Sequence, residues 1–435
     1  MGNVIVNSLR DTEIRRKLAF TVLLLFVYRL GSFVPLPGVN VAGVQSAQSQ
    51  LGGSNIFGLL NLFSGGGLSR VSLFALGIGP YITASIVIQL LGAVTPGMIK
   101  LRKEGEIGEA RIVQYVRYLT VALAAVQSIG YVFLFRSTQT PGAAPVFERF
   151  DAPHVVLIVI SLTAGTVLLM WIGELITKRG IGNGISLLIM AGILAGLPRG
   201  LERWWTSPDA IFKVMMPFIA LAVVASIVFI QTGERRVPVQ YARRVVGGRI
   251  SQGGRTFLPL RLNMAGVIPV IFAATLMAFP PTAGQYVHAG WAKSLSSFFN
   301  PNGWPFVLGE SLLIVAFTFL YTAVTFNPLD QADSLREHGG FIPGVRPGRP
   351  TAAFLDRLLA RLTLPGGVYL ALVAALPTVL IAQTHATFLF GGTSLLIVIG
   401  VTLETVRGLE AQLTMRSYAA FLKPPGERLA PPIAA

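Results

Sequence analysis

Cysteine is absent from the 435-residue chain, which excludes disulfides, thiolate nucleophiles, iron–sulfur clusters and Cys-ligated zinc. Histidine is almost as scarce. His154, His288, His338 and His385 stand far apart, so no metal site is expected. Charged residues make up only 12% of the chain against 53% hydrophobic, and mean hydropathy is +0.65. A water-facing globule carries about 25% charged residues, so this composition excludes one and points to an integral membrane protein. Also missing are G-x-x-x-x-G-K-[ST], H-E-x-x-H and G-x-S-x-G. No nucleotide-phosphate cradle, zinc protease site or serine nucleophile elbow is therefore expected, and neither is a catalytic residue or a cofactor.

Long apolar runs are plentiful. A helix needs about 20 residues to cross the roughly 30 Å hydrocarbon layer, and ten runs near that length recur, at 18–34, 71–94, 115–135, 155–176, 181–197, 211–230, 264–279, 306–326, 364–382 and 393–406. Arg10, Arg15, Arg16 and Lys17 precede the first, as in a signal peptide, but no small-x-small cleavage site follows and the run reads as a retained span. The fifth, seventh and tenth are short and contain or abut Gly or Pro, the kind of span that lines a cavity.

Ten spans place both termini on one side of the bilayer. Of the 35 basic residues, 27 then fall on that side and 8 on the other. The positive-inside rule makes the basic side cytoplasmic.

Two hexamers recur. Gly77-Ile78-Gly79-Pro80-Tyr81-Ile82 matches Gly266-Val267-Ile268-Pro269-Val270-Ile271, and Gly184-Ile185-Ser186-Leu187-Leu188-Ile189 matches Gly392-Thr393-Ser394-Leu395-Leu396-Ile397. Each pair lies five spans apart. Five is odd, so equivalent helices cross in opposite directions, the mark of an inverted repeat with its pathway between the halves.

The stretch 35–70 holds one more apolar piece, in which Ile56, Leu59, Leu60 and Phe63 share a helical face behind Asn55 as a candidate N-cap. Gly65-Gly66-Gly67 follows and reads as a flexible joint. The pattern fits a re-entrant or movable element and equally a helix lying on the bilayer. Two long basic loops, 231–263 and 327–363, fit attraction to lipid headgroups or to an acidic partner such as ribosomal RNA or a motor protein. The first, with seven arginines, suits a protruding hairpin. Glu174, Glu310 and Glu404 lie near span ends, where snorkelling or a helix-face ion pair, Glu174 with Lys178, is expected; Arg29 is expected to snorkel too.

Four segments carry a resemblance to a known family. They are Ile78-Gly79-Pro80-Tyr81-Ile82-Thr83-Ala84-Ser85-Ile86-Val87-Ile88-Gln89-Leu90-Leu91, Lys178-Arg179-Gly180-Ile181-Gly182-Asn183-Gly184-Ile185-Ser186, Asn263-Met264-Ala265-Gly266-Val267-Ile268-Pro269 and Phe390-Gly391-Gly392-Thr393-Ser394-Leu395-Leu396-Ile397. Together they resemble the SecY family, the channel subunit of the bacterial Sec protein translocase, with ten spans in matching order.

The resemblance implies an all-α polytopic fold of ten transmembrane helices in two inverted five-helix halves around a central hourglass pore. The halves correspond to 1–200 and 201–410, followed by a cytoplasmic tail at 411–435. By motif, the family's apolar pore ring falls on Ile82, Ile86, Ile185, Ile189, Ile271 and Ile397. Its plug corresponds to 55–68, which selects the movable reading of that helix. Its lateral gate lies between spans two and three and spans seven and eight, with Pro80 and Pro269 on the two gate helices and Gln89 and Gln127 as candidate seam residues. Docking of the SecA motor or the ribosome, through rRNA and proteins, corresponds to Arg243, Arg244, Arg357 and Arg361.

The implied partners are also SecE, SecG, signal peptides, unfolded secretory or membrane proteins and the lipid bilayer. The implied location is the bacterial plasma membrane. The residues on their own also admit a small-solute transporter, which requires convergent polar groups at the midplane, and an intramembrane enzyme, which requires a catalytic constellation.

Overall fold

The computed structural model describes residues 11–40, 43–44, 61, 64–137, 145–147, 149–206, 210–241, 244–246, 249–251, 255–278, 280, 290–300, 303–384 and 392–422. Each of the ten expected spans coincides with a helix. In the first half these are α1 (Thr12–Gly31), α2 (Gly79–Val94), α4 (Glu106–Ser137), α5 (Ala152–Arg179) and α6 (Gly184–Thr206), with a short α3 (Pro96–Lys103) after α2. The second half starts with α7 (Ala210–Thr232). Strands β1 (Glu234–Tyr241), β2 (Arg244–Val246), β3 (Arg249–Ser251) and β4 (Arg255–Arg261) follow, then α8 (Ile268–Met277) and a surface helix α9 (Gly290–Phe298). Last come α10 (Trp304–Thr325), α11 (Pro328–Glu337), β5 (Gly340–Phe341), α12 (Arg349–Thr384) and α13 (Gly392–Leu422).

Among the described residues, six helices are long and apolar enough to cross a membrane singly. A seventh crossing pairs 79–92 with 96–102 across a 100° bend, where Pro96 begins a new helix and cannot continue the old one. The outward faces are apolar. Phe26 and Val22 on α1, Phe218, Leu221 and Phe229 on α7, and Leu308 and Leu312 on α10 are all exposed, a pattern that water does not tolerate over such an area but lipid does.

Spans two and seven begin later than their hydropathy predicts, and for the same reason. Gly77 and Gly266 both adopt positive φ, at 59° and 65°, a conformation open to glycine. Their helices then start with Pro80 and Pro269 in the first turn, where a missing N–H costs nothing. Asn263 holds the second of these turns by donating Nδ2 to the Gly266 carbonyl at 2.8 Å. The other matched pair behaves alike, with α6 and α13 opening at Gly184 and Gly392.

Packing repeats as well. In the first half α2 packs on α4, α4 on α5, α5 on α6, and α1 on α6. In the second half α8 packs on α10, α10 on α12, α12 on α13, and α7 on α13. The halves meet through the equivalent helices themselves, α2 with α8 and α6 with α13.

On the side of the basic loops, β1 pairs antiparallel with β4 from Glu234↔Arg261 to Gln240↔Arg255, and β5 adds to the free edge of β1 at Gln240↔Phe341. Val237, Val239 and Leu260 from the hairpin pack with Ile342, Leu355, Leu358 and Leu359 from the later loop. The two loops are therefore one small domain. Helix α12 carries this domain without a break into the ninth span, and Gly366 allows the hairpin exit to approach, since a Cβ there would lie 2.6 Å from the Leu262 carbonyl oxygen.

Candidate functional site: the apolar junction between the halves

The junction is built by four helices. Ile82 and Ile86 project from α2, Ile185 and Ile189 from α6, Ile271 from α8 and Ile397 from α13. Ile82, Ile86, Ile189, Ile271 and Ile397 are buried in one apolar cluster, and the half-buried Ile185 packs against it. Helix α8 touches both α2 and α13, and α13 touches α6, which closes the set. Among the described residues, the fully buried polar side chains are Thr, Ser, Asn and Gln, none of them charged. Chemically, a collar of branched hydrocarbon repels water and ions while offering a passing chain no hydrogen-bonding group.

Helix α6 is fixed at its start by the motif that precedes it. The Asn183 side-chain oxygen accepts from the Ile185 and Ser186 N–H groups at 3.1 and 3.3 Å, capping α6. The Gly184 N–H reaches the Thr177 hydroxyl at 2.9 Å, and the Ile181 N–H donates to Thr21 Oγ1 at 3.2 Å. The start of α6 is thus tied to both α5 and α1. On the opposite half, Arg407 of α13 donates to the Gln231 carbonyl at the end of α7 at 2.8 Å.

The other sequence-expected residues are placed as follows. Ile56, Leu59, Leu60 and Phe63, and with them the Asn55 cap, lie outside the described residues, as does Arg243. Arg244 opens β2, paired with Ser251. Arg357 and Arg361 sit exposed on α12, and Arg357 makes a 3.3 Å bond to the Ala353 carbonyl of its own helix. Gln89 donates to Ser85 Oγ within α2 at 3.2 Å, so its polar group is satisfied locally.

One expectation is corrected. Glu174 pairs with Arg117 of α4 through two parallel hydrogen bonds, one of 2.8 Å, and not with Lys178. The partner is a neighbouring helix, which spacing within one helix cannot reveal. Arg29, expected at the bilayer surface, donates Nη1 to the Gly65 carbonyl at 2.8 Å. Gly65-Gly66-Gly67, the expected joint, forms a hydrogen-bonded turn: Gly66 N–H binds the Asn61 carbonyl at 2.9 Å and Gly67 N–H the Ser64 carbonyl at 3.1 Å. Its glycines are required by positive φ at Gly65 and Gly66, 62° and 85°.

Ten helices in two similarly packed groups, meeting at an apolar junction, define a multi-pass membrane protein of the protein-conducting channel fold. A solved structure described as that of a protein-conducting channel superposes with a TM-score of 0.67 at 21% identity, covering 94% of each chain. A second, concerning the SecY plug domain and the closed state of the translocation channel, gives 0.65 at 21% identity, again over 94% of each chain. Sec61 from a canine ribosome-channel complex gives 0.61 at 20% identity and 94% of each chain.

In sequence, the protein translocase subunit SecY of Streptomyces galbus is 43% identical over 97% of this chain and 100% of the relative. That of Corynebacterium glutamicum is 41% identical over the same shares. The SecY family model matches residues 72–406. The chain belongs to the SecY family of protein translocase channel subunits, which are not enzymes.

Proposed function

We propose that the chain conducts unfolded polypeptides through the junction between its halves, with Ile82, Ile86, Ile185, Ile189, Ile271 and Ile397 as the constriction. The single observation that carries this reading is the gathering of these six side chains, from four helices and both halves, into one uncharged cluster. Crossing bare lipid exposes peptide groups at several kcal/mol each and costs about 2.5 to 3.5 kcal/mol per central charge on the insertion scale. An apolar collar enclosed in protein avoids both without reading sequence.

The segment 55–68 acts as the plug, and α2 with α4 parts from α8 with α10 to release transmembrane segments sideways into lipid, with Pro80 and Pro269 at equivalent points on the two gate helices. The basic side faces the cytoplasm of a bacterial cell, with both termini there. Arg243, Arg244, Arg357 and Arg361 dock the SecA motor or the ribosome, which supply the energy, and SecE and SecG complete the channel in the plasma membrane. Sec61, whose fold this chain shares, is described in a ribosome-channel complex, which supports the ribosome as a partner.

The test is site-directed crosslinking. The chain lacks cysteine, so single cysteines at Ile82, Ile189 and Ile271 carry a crosslinker without background. Adducts to a secretory chain stalled halfway across proteoliposomes, absent from a control at the exposed Leu168, are expected. Active export without adducts at these positions would move the path elsewhere.

A further inference from the structure

Helix α9 stands in the chain between α8 and α10, after the end of α8 that points away from the basic domain. At nine residues it is too short to span a bilayer, yet its outward face is apolar. Trp291, Leu295 and Phe298 fall at i, i+4 and i+7, on one side of the helix, and Trp291 and Phe298 are 65% and 60% exposed. The segment holds one cation, Lys293, and no carboxylate. The Ser294 and Ser297 hydroxyls turn back onto the Gly290 and Ser294 carbonyls of the same helix, at 3.1 and 2.9 Å, so neither depends on water.

Contacts with the neighbouring spans set the depth of this face. The Phe298 and Phe299 rings meet edge to face with centroids 5.1 Å apart. Phe299 Cε1 lies 3.5 Å from where a Cβ on Gly309 of α10 would be, and Met277 Cε, at the end of α8, lies 3.1 Å from the same point. Phe299 therefore touches the place where α8 and α10 pack together. Gly309 is five residues beyond Trp304, the first residue of α10, hence about 7.5 Å along that helix. Trp304, Leu308 and Leu312 are exposed along α10 and form the lipid-facing stripe of this span. The C-terminal end of α9 thus sits below the rim of that stripe, within the range of about 5 to 10 Å to which amphipathic helices sink into a bilayer.

We propose that α9 docks on the bilayer itself, in the leaflet opposite the basic domain, with Trp291, Leu295 and Phe298 at the boundary of headgroups and acyl chains, and that through Phe299 it fixes the depth of the adjoining ends of α8 and α10. The occupant is lipid because the exposed face of α9 continues, through Phe298 and Phe299, into the lipid-facing surface of α10. Tryptophan suits that boundary, since its ring is apolar and its N–H can reach the headgroups, and a lone cation without a carboxylate suits the phosphates.

The experiment uses the full-length chain, reconstituted with its partner subunits in liposomes of phosphatidylethanolamine and phosphatidylglycerol. The chain lacks cysteine, so a nitroxide on a single cysteine at Leu295 or Ser297 reports collisions with oxygen, which concentrates in lipid, and with a nickel chelate, which stays in water. Leu295→Cys is expected to favour oxygen over the chelate several-fold more than Ser297→Cys on the other side of the helix. Equal preference for the chelate at both sites would lift α9 off the membrane and overturn the proposal. Shielding of Leu295 from both reagents would assign the face to a protein partner and overturn it as well.

Adding Trp291→Ser and Phe298→Ser to the Leu295 label tests whether the aromatic residues hold the helix down. The label is expected to move towards the chelate, and an unchanged ratio would overturn their anchoring role. Fluorescence gives a reading that leaves the face intact. With Trp171, Trp204, Trp205 and Trp304 changed to Phe, Trp291 emission is expected to be quenched more by lipids brominated near the headgroup than by iodide in water. The reverse order overturns the proposal, including where the cysteine variants fail to accumulate.

Discussion

Arg117 of α4 and Glu174 of α5 lock together through two hydrogen bonds, with Nε to Oε1 at 2.8 Å, and Arg117 reaches Gln114 at 3.2 Å through Nη1. The Glu174 side chain is 14% exposed and that of Arg117 33%. The pair is buried enough that losing one member strands the other. It joins the third and fourth spans, tying α4 of the proposed gate to α5.

Arg117→Leu alone is therefore expected to lower stability in detergent by about 2 kcal/mol, reduced from the value for a fully buried pair by its partial exposure. The double variant Arg117→Leu with Glu174→Leu is expected to recover much of that loss, because no orphaned carboxylate remains. A double-mutant cycle on thermal midpoints checks this, with a coupling of about 1 kcal/mol or more expected.

Sequence periodicity located the ten apolar helices, the repeat and the hairpin because each is written locally, in hydropathy, in glycine and proline positions, or in alternation. What it could not show depends on contacts between segments. Lys178 is four residues from Glu174 and was the natural partner on a single helix, whereas Arg117 is 57 residues away. The bonds that the glycine triplet makes with Asn61, Ser64 and Arg29 come from outside it, so its composition does not show them. The two basic loops looked separate because β5 contributes only two residues to the sheet, too short for any pattern. The isoleucines are assigned by resemblance, not by period, since these helices carry apolar residues on both buried and exposed faces.

The proposed collar makes a direct prediction. Ile→Ser at Ile82, Ile189 and Ile271 together is expected to let water and ions into the resting junction, since a polar lining wets where a hydrocarbon one dewets. Planar-bilayer conductance measures this, with the parent electrically silent and the triple variant conducting. A triple variant as silent as the parent would remove the collar from these positions.

Gly366 offers a test of the way the basic domain is mounted. A side chain there points at the Leu262 carbonyl, 2.6 Å from where its Cβ would be, and backbone cannot step aside as a flexible side chain can. Gly366→Val is expected to cost about 1 to 3 kcal/mol of local stability and to loosen β4 from α12. Limited trypsin digestion reads this directly, because β1 and β4 carry Arg235, Arg236, Arg255 and Arg261. Cleavage at these arginines should be faster in the variant while the span helices stay intact.

Arg357 and Arg361 stand exposed on the face of α12 while Leu355, Leu358 and Leu359 on its other side pack into the hairpin core. Neither side chain enters that core, so replacing them is expected to leave the domain folded. Arg357→Glu with Arg361→Glu is expected to weaken binding of an acidic partner about tenfold or more, chiefly through the association rate. The loss should shrink as salt rises, because exposed charges are screened beyond about 8 Å at 0.15 M ionic strength. Binding of the motor and of ribosomes to proteoliposomes, measured across a salt series, separates the two candidates: the partner that uses this face loses affinity in the double variant and converges with the parent at high salt, and the other is unaffected at every salt concentration. If both partners bind the variant as they bind the parent, the docking surface lies off α12.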